Sequence, residues 1–207
     1  MFVRSSSSSM KLAFAFDINV ALHSSFLVVP FSIPSHAAKA SSVRASGLST
    51  LTHVDQQGKA AMVDVSQKTN TVRSATARAV VHLTNEAYKA VHNNEVKKGD
   101  VLGVAKLAGI MAAKATSNLI PLCHPIEIRG CDVNLHLSEP PANDVVVNAT
   151  VRTVGATGVE MEAMTAASVA SLTVYDMVKG IDKGVKIGEV KLIHKSGGKS
   201  GEWHAEK

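Results

Sequence analysis

Residues 158–180 read Gly-Val-Glu-Met-Glu-Ala-Met-Thr-Ala-Ala-Ser-Val-Ala-Ser-Leu-Thr-Val-Tyr-Asp-Met-Val-Lys-Gly, and this stretch limits the possible folds more than any other. Met161, Met164, Ser168, Leu172, Tyr175 and Lys179 recur at three- and four-residue spacing and Gly180 supplies a stop, which predicts a helix from about residue 161 to 179. Its centre, Ala166, Ala167, Ser168, Ala170 and Ser171, is too small to fill a core alone. Another backbone or a large group must therefore come close, and the helix is a packing surface. On its last turn Asp176 and Lys179 stand three apart and share a face, which brings a carboxylate and an ammonium within reach of each other. Such a pair can transfer protons or can be an ordinary exposed ion pair at a helix end, and the spacing leaves both open.

The remaining pattern from residue 51 onward supplies the partners of this helix. Residues 75–83 read as a strand, Thr84 caps a short helix through Asn93, and Asp100 caps a second helix over 101–119 that Pro121 ends. Val101, Val104, Leu107, Met111 and Ala115 form the expected core stripe of that second helix. Alternating stretches at 127–137 and 145–154, joined by a turn at 140–144, form a hairpin, and 185–194 is the expected final strand. Strand, helices, strand, strand, helix, strand is the split βαβ order with an extra helix. The expected fold is a ferredoxin-like α+β sandwich, an antiparallel sheet with helices on one face.

Composition narrows the partners. A net charge of +5 favours an anionic partner, while an aromatic content of only 4% argues against base-stacking platforms, so a small phosphorylated ligand is preferred to nucleic acid. No apolar run approaches the roughly 20 residues of a spanning helix, and no membrane partner is expected. Cys123 and Cys131 are not in paired short motifs, so neither a disulfide framework nor a metal site is indicated, and a reducing compartment fits. Residues 1–50 differ in kind: they are rich in serine, carry Arg4, Lys11, Lys39 and Arg44, and contain the single acid Asp17. That composition is the signature of an organelle transit peptide, with the mitochondrial matrix as the expected destination and the cytoplasm or another organelle as the alternative. A secretory signal over 26–33 is interrupted by Pro30 and followed by Pro34; an extension without an address is the further alternative.

Three loops carry polar chemistry. In Leu119-Ile120-Pro121-Leu122-Cys123-His124-Pro125 the prolines fix a short extended segment around a thiol and an imidazole. Neighbours in an extended segment point to opposite sides, so Cys123 reads as a small hydrophobe rather than the partner of His124 in a nucleophilic pair. His124 itself is either a structural or a functional imidazole. Lys97-Lys98-Gly99-Asp100 places bases immediately before a helix start, where phosphate can meet free amides, although a solvated loop would look the same. Lys195-Ser196-Gly197-Gly198-Lys199-Ser200-Gly201 has the charge and backbone freedom of a phosphate cradle or of a flexible basic tail, and it lacks the spacing of a Walker A loop.

Taken together, Thr52-His53, Met62-Val63-Asp64-Val65-Ser66, Thr71-Val72-Arg73, Lys98-Gly99-Asp100, the Ile120 to Pro125 loop, Gly158-Val159-Glu160-Met161-Glu162-Ala163, Tyr175-Asp176-Met177 and the glycine-rich segment resemble the molybdenum cofactor biosynthesis protein C family. The resemblance covers residues 51–204, in the family's order and near its spacing, and makes 51–207 one catalytic domain. It implies rearrangement of 3′,8-cyclo-7,8-dihydroguanosine 5′-triphosphate to cyclic pyranopterin monophosphate with release of pyrophosphate. It implies that Asp176 and Lys179 are the acid–base pair, that Lys98 assists at the reacting centre, and that Leu122, Cys123 and His124 line the substrate pocket. Met161 and Glu162 would hold the other end, with Arg73, Lys195 and Lys199 as the candidates for the phosphates. A lysine beside other cations and partly desolvated would have a lowered pKa, so Lys98 or Lys179 could act as a base. No cofactor is implied, although Mg²⁺ could accompany the substrate triphosphate. The implied assembly is a homo-oligomer of dimers, a hexamer on the family's pattern. Glu162 and Asp176, fourteen residues apart on one helix, would meet only if a second chain's helix ran alongside in the opposite direction, through the small residues 166–171. A phosphate-binding module without catalysis and a purely structural oligomer are the readings from other classes. The first has no need of Asp176 beside Lys179, and the second leaves the polar loops without a purpose.

Overall fold

The computed structural model describes residues 59–206, so residues 1–50 with their transit reading, and Thr52-His53, lie outside the described residues. The elements, in order, are β1 (Thr71–His82), α1 (Asn85–His92), α2 (Val101–Lys114), α3 (Thr116–Leu119), β2 (Gly130–Leu137), β3 (Asp144–Gly155), α4 (Glu160–Val178), β4 (Lys186–Ser196) and β5 (Trp203–His204). The sheet order is β2-β3-β1-β4-β5 with every neighbouring pair antiparallel, so the α+β, ferredoxin-like expectation holds.

Both expected caps form. The Thr84 side chain accepts from the Ala87 amide at 3.3 Å and the Asp100 carboxylate accepts from the Gly103 amide at 2.9 Å. The helix expected over 101–119 breaks into α2 and α3 at Ala115. There the Thr116 hydroxyl donates to the carbonyls of Ala112 and Ala113, at 3.3 and 3.0 Å, competing with regular helical bonding.

The core is made of small residues. Ala75, Ala77, Ala79 and Val81 of β1 are fully buried against Ala163, Ala166, Ala167 and Ala170 of α4, within one continuous cluster. Small side chains let α2 and α4 approach closely. A Cβ on Gly109 of α2 would lie 3.0 Å from the Ala166 carbonyl oxygen and 3.2 Å from the Ala170 methyl.

This close approach corrects two expectations. The α2 stripe is reversed over most of its length: Val101 is buried as expected and Ala115 half-buried, but Ala105, Gly109, Ala112 and Ala113 face inward while Val104, Leu107 and Met111 are exposed, because the narrow gap beside α4 has no room for large side chains. Second, residues Ala166, Ala167, Ala170 and Ser171 are buried within their own chain and are not available to a second copy. What α4 presents outward is Met161, Ser168 and Leu172, beside the large apolar residues of α2. The chain also does not close on β4. It turns back through the glycine-rich segment and adds β5 at the sheet edge, so that segment is a hairpin turn and not a free tail.

Candidate active site

Residues of the sequence analysis gather at the two ends of α4. Near its first turn, the chain leaving α3 bends at Pro121 and Leu122, the Cys123 amide donating to the Ile120 carbonyl at 3.0 Å. The bend replaces the wholly extended segment expected there. It brings Leu122, Cys123 and His124 to one wall of a hollow of about 280 Å³ whose other side carries Val63, Met161 and Glu162.

His124 Nε2 lies 2.9 Å from the Val63 carbonyl oxygen. A carbonyl only accepts, so Nε2 carries the hydrogen, and Nδ1 of the neutral ring is left as an acceptor. The imidazole is thus held by backbone while it lines the hollow. Burial, and secondarily the Glu162 carboxyl, push the Cys123 thiol up from its ordinary range, which favours the thiol over the thiolate that a nucleophile needs. Glu162 is only 3% exposed and its Oε2 has no hydrogen-bond partner among the described residues. Burial raises its carboxyl; its own amide opposes this and the neighbouring Glu160 adds to it. An orphaned buried polar atom is costly, and a ligand group bonded to it removes that cost.

A second hollow of about 790 Å³ adjoins the first and shares Lys68, Thr157 and Gly158 with it. Arg73 and Lys199 line it. Arg73 donates from Nε to the Gly155 carbonyl at 2.8 Å and from Nη2 to the Ala156 carbonyl at 3.0 Å, so the loop after β3 fixes its guanidinium. Lys195 bonds Glu160 Oε1 at 3.0 Å and the Ser200 hydroxyl at 3.2 Å, which offsets much of its charge. Sequence reasoning missed Lys68. The only signal was its place in a turn just after the Met62 to Ser66 motif, closed by its amide on the Val65 carbonyl at 3.0 Å.

The glycine-rich turn is shaped by backbone that only glycine tolerates. Gly197 has φ +91°, and a Cβ there would lie 2.1 Å from the Val72 carbonyl oxygen, a backbone atom that cannot rotate away. Gly197→Ala is expected to destabilise the fold by about 1–3 kcal/mol, the range for forced backbone conformations, and to raise KM through displacement of Lys199. Urea denaturation with steady-state kinetics checks it; unchanged values for both would mean the turn is not constrained by Val72.

The other end of α4 holds the second cluster. Lys98 donates from Nζ to Asp176 Oδ2 at 2.7 Å and to the Asp176 carbonyl at 2.8 Å, while Lys179 Nζ lies 2.7 Å from Oδ1. All three side chains are about half exposed, at 46–52%. Hydrogen bonds from Lys179 first, then Lys98, lower the Asp176 carboxyl to about 2. The same carboxylate raises Lys179. This corrects the expectation of a lowered lysine pKa at Lys179: the neighbouring anion outweighs any neighbouring cation, so the free site presents an ammonium, a proton donor. Beside this cluster a hollow of about 560 Å³ opens between Val96, Lys97 and Lys98 on one side and Met177, Gly180 and Ile181 on the other.

At a rise of about 1.5 Å per residue, the fourteen residues between Glu162 and Asp176 span roughly 21 Å. Each chain thus carries a cleft with an orphaned carboxyl, an imidazole and cations at one end of α4, and a lysine–aspartate–lysine cluster at the other, and the two do not meet within the chain.

Residues 62–198 match the MoaC family. Among similar proteins, the cyclic pyranopterin monophosphate synthase of Thermoanaerobacter pseudethanolicus is 52% identical over 156 residues, covering 75% of this chain and 98% of its own. That of Geobacillus thermodenitrificans is 52% identical over 157 residues, covering 75% and 97%. The Bacillus subtilis protein of the same name is 50% identical over 155 residues, covering 74% and 91%.

Proposed function

The chain belongs to the MoaC family, and from that premise we propose how its two charged clusters carry out the family's reaction. The chain is an enzyme that converts 3′,8-cyclo-7,8-dihydroguanosine 5′-triphosphate to cyclic pyranopterin monophosphate and pyrophosphate, in molybdenum cofactor biosynthesis. The observation that carries the assignment of roles is the joined cleft, which has cations at one end and an orphaned buried carboxyl at the other.

The guanine-derived ring system enters the hollow beside Leu122, Cys123 and Met161. Glu162 Oε2 bonds its polar edge and the His124 Nδ1 acceptor faces it. The triphosphate runs into the second hollow, against Arg73, Lys199 and Lys68, with Lys195 contributing what Glu160 leaves of its charge. Several fixed cations suit a leaving pyrophosphate, because the P–O bond that breaks places new negative charge there. Ring opening and reclosure need protons delivered and removed, which is the role of Asp176 and Lys179 with Lys98 beside them. Lys179 enters as the ammonium that its pairing with Asp176 favours. It donates first, and acts as a base only after donation. No residue among these calls for a metal, and Mg²⁺ would act, if at all, on the triphosphate oxygens.

A single substrate cannot span the distance along α4, so the acid–base cluster is supplied by a second copy whose α4 runs antiparallel. The outward residues Val104, Leu107, Met111 and Leu172 form an apolar helical surface suited to such a contact. A homo-oligomer built from dimers follows, and a hexamer is its family-based extension. Among the described residues, no helix is long and apolar enough to cross a membrane. The transit reading of residues 1–50 and a mitochondrial destination belong to the same proposal. They rest on the serine-rich, acid-poor composition, and the first 61 residues lie outside the family match.

One experiment tests reaction and address together. Protein lacking residues 1–47 is expected to release pyrophosphate from the cyclic triphosphate as fast as the full chain in vitro, and to lose its organelle position in cells. Absence of pyrophosphate from both forms would overturn the reaction. Unchanged cellular position of the truncated form would overturn the transit reading alone.

A further inference from the structure

Away from the cleft, the β4–β5 hairpin brings together three side chains that the reaction does not use. His194 Nε2 lies 2.9 Å and His204 Nε2 lies 3.2 Å from the same oxygen, Glu202 Oε1. The imidazole centroids are 4.5 Å apart, and one ligand atom from each of the three residues lies within 4.8 Å of the others. We propose that His194, Glu202 and His204 form a site for a divalent transition metal of the zinc class.

Backbone pairing places the ligands. His194 stands opposite His204 and Lys195 opposite Trp203, with the Ala205 amide donating to the Ile193 carbonyl at 3.0 Å. Directly cross-strand residues share a face, so the two imidazoles emerge side by side. His194 also pairs across β1 with Thr76, whose neighbours Ala75 and Ala77 are buried under the helices, so the histidines lie on the helix-free face of the sheet. Lys195, the next residue, points the other way and reaches Glu160 at the cleft. One hairpin thereby serves two separate places.

Two imidazole nitrogens and a carboxylate oxygen suit zinc and its neighbours, whereas Mg²⁺ and Ca²⁺ require mainly oxygen ligands. Ligand arms of about 2.1 Å around a tetrahedral ion put neighbouring ligand atoms roughly 3.4 Å apart. Exposed side-chain rotations reach that spacing, since His194, Glu202 and His204 are 27%, 63% and 67% exposed. Three protein ligands leave a further coordination position to solvent. The ion would join β4 to a strand only two residues long and so brace the turn that carries Lys199 and Ser200. It would act as a clasp, and the reaction is not routed through it.

Trp203, between two of the ligands in sequence but on the Lys195 face of the hairpin, is the only tryptophan of the chain and reports on the short strand that the ion would fix. Tag-free full-length protein, stripped with chelator and dialysed, is titrated with Zn²⁺ while tryptophan fluorescence is followed, and calorimetry gives the stoichiometry. A saturable fluorescence change at one ion per chain is expected. Glu202→Gln and His194→Ala should each weaken it about ten-fold or more, with far-UV circular dichroism unchanged. His92→Ala should leave it intact, and millimolar Mg²⁺ should not produce it. Absence of a saturable change, or an equal response from the folded His194→Ala/Glu202→Gln double variant, would overturn the site.

Discussion

Lys179→Ala is expected to lower kcat by about three orders of magnitude, within the range for loss of a positioned proton-transfer group, while the melting temperature barely moves. The separation of the two effects follows from exposure. Lys179 is the C-cap residue of α4, its ammonium is about half exposed, and exposed ion pairs contribute little to folding. Asp176 keeps Lys98 in the variant, so its carboxylate remains anchored. The pH dependence separates this loss from a titration of Asp176. A carboxyl lowered from 3.8 to about 2 contributes its stabilisation fully above its unfolded value and loses it as pH falls through about 2. Asp176 is therefore ionised throughout any assay between about pH 5 and 9, and an acid limb in that window belongs to another group. The measurement is steady-state pyrophosphate release beside a thermal melt. Activity within about ten-fold of the unsubstituted enzyme would remove Lys179 from proton transfer, and a large fall in melting temperature would make its role structural.

Mixing Glu162→Ala protein with Asp176→Ala protein, each inactive alone, is expected to restore activity after subunit exchange. In a mixed dimer one composite site receives both alanines and the other receives neither, so recovery approaches one working site per mixed dimer. With random exchange about half of the dimers are mixed and each has one of two sites intact, which sets a ceiling of roughly one quarter of the unsubstituted rate. The physical basis is the length of α4, whose 19 residues hold the orphaned Glu162 at one end and the Lys98–Asp176–Lys179 cluster at the other. Glu162→Ala also removes a buried carboxyl whose Oε2 has no partner among the described residues, so its loss of activity should come with little loss of stability, and the exchanging population remains folded. Exchange is followed by mass spectrometry of isotopically labelled chains. Full exchange without recovered turnover would mean that each chain completes its own site, by a rearrangement that brings Asp176 to the cleft.

Local chemistry made much of this protein legible from its sequence. Thr84 and Asp100 announced their helices because a side-chain oxygen at a helix start satisfies an amide that nothing else can. The order of apolar alternation and helical periodicity was sufficient for the split βαβ topology, since each pattern has only one regular structure that buries it. The Asp176–Lys179 pair was readable because three-residue spacing on a helix fixes distance. Tertiary structure decided which helix faces point inward. Val104, Leu107 and Met111 looked like core, but helices that approach closely enough for Gly109 to touch Ala166 bury small residues and leave large ones outside. It decided which lysine joins the cleft, adding Lys68 and pairing Lys195 with Glu160, while the direction of the Lys179 shift follows from the Asp176 carboxylate on its own helix turn. It alone assembled His194, Glu202 and His204, whose separation in sequence has no metal-binding spacing. Their meeting requires a strand register, and register depends on long-range pairing that no local pattern encodes.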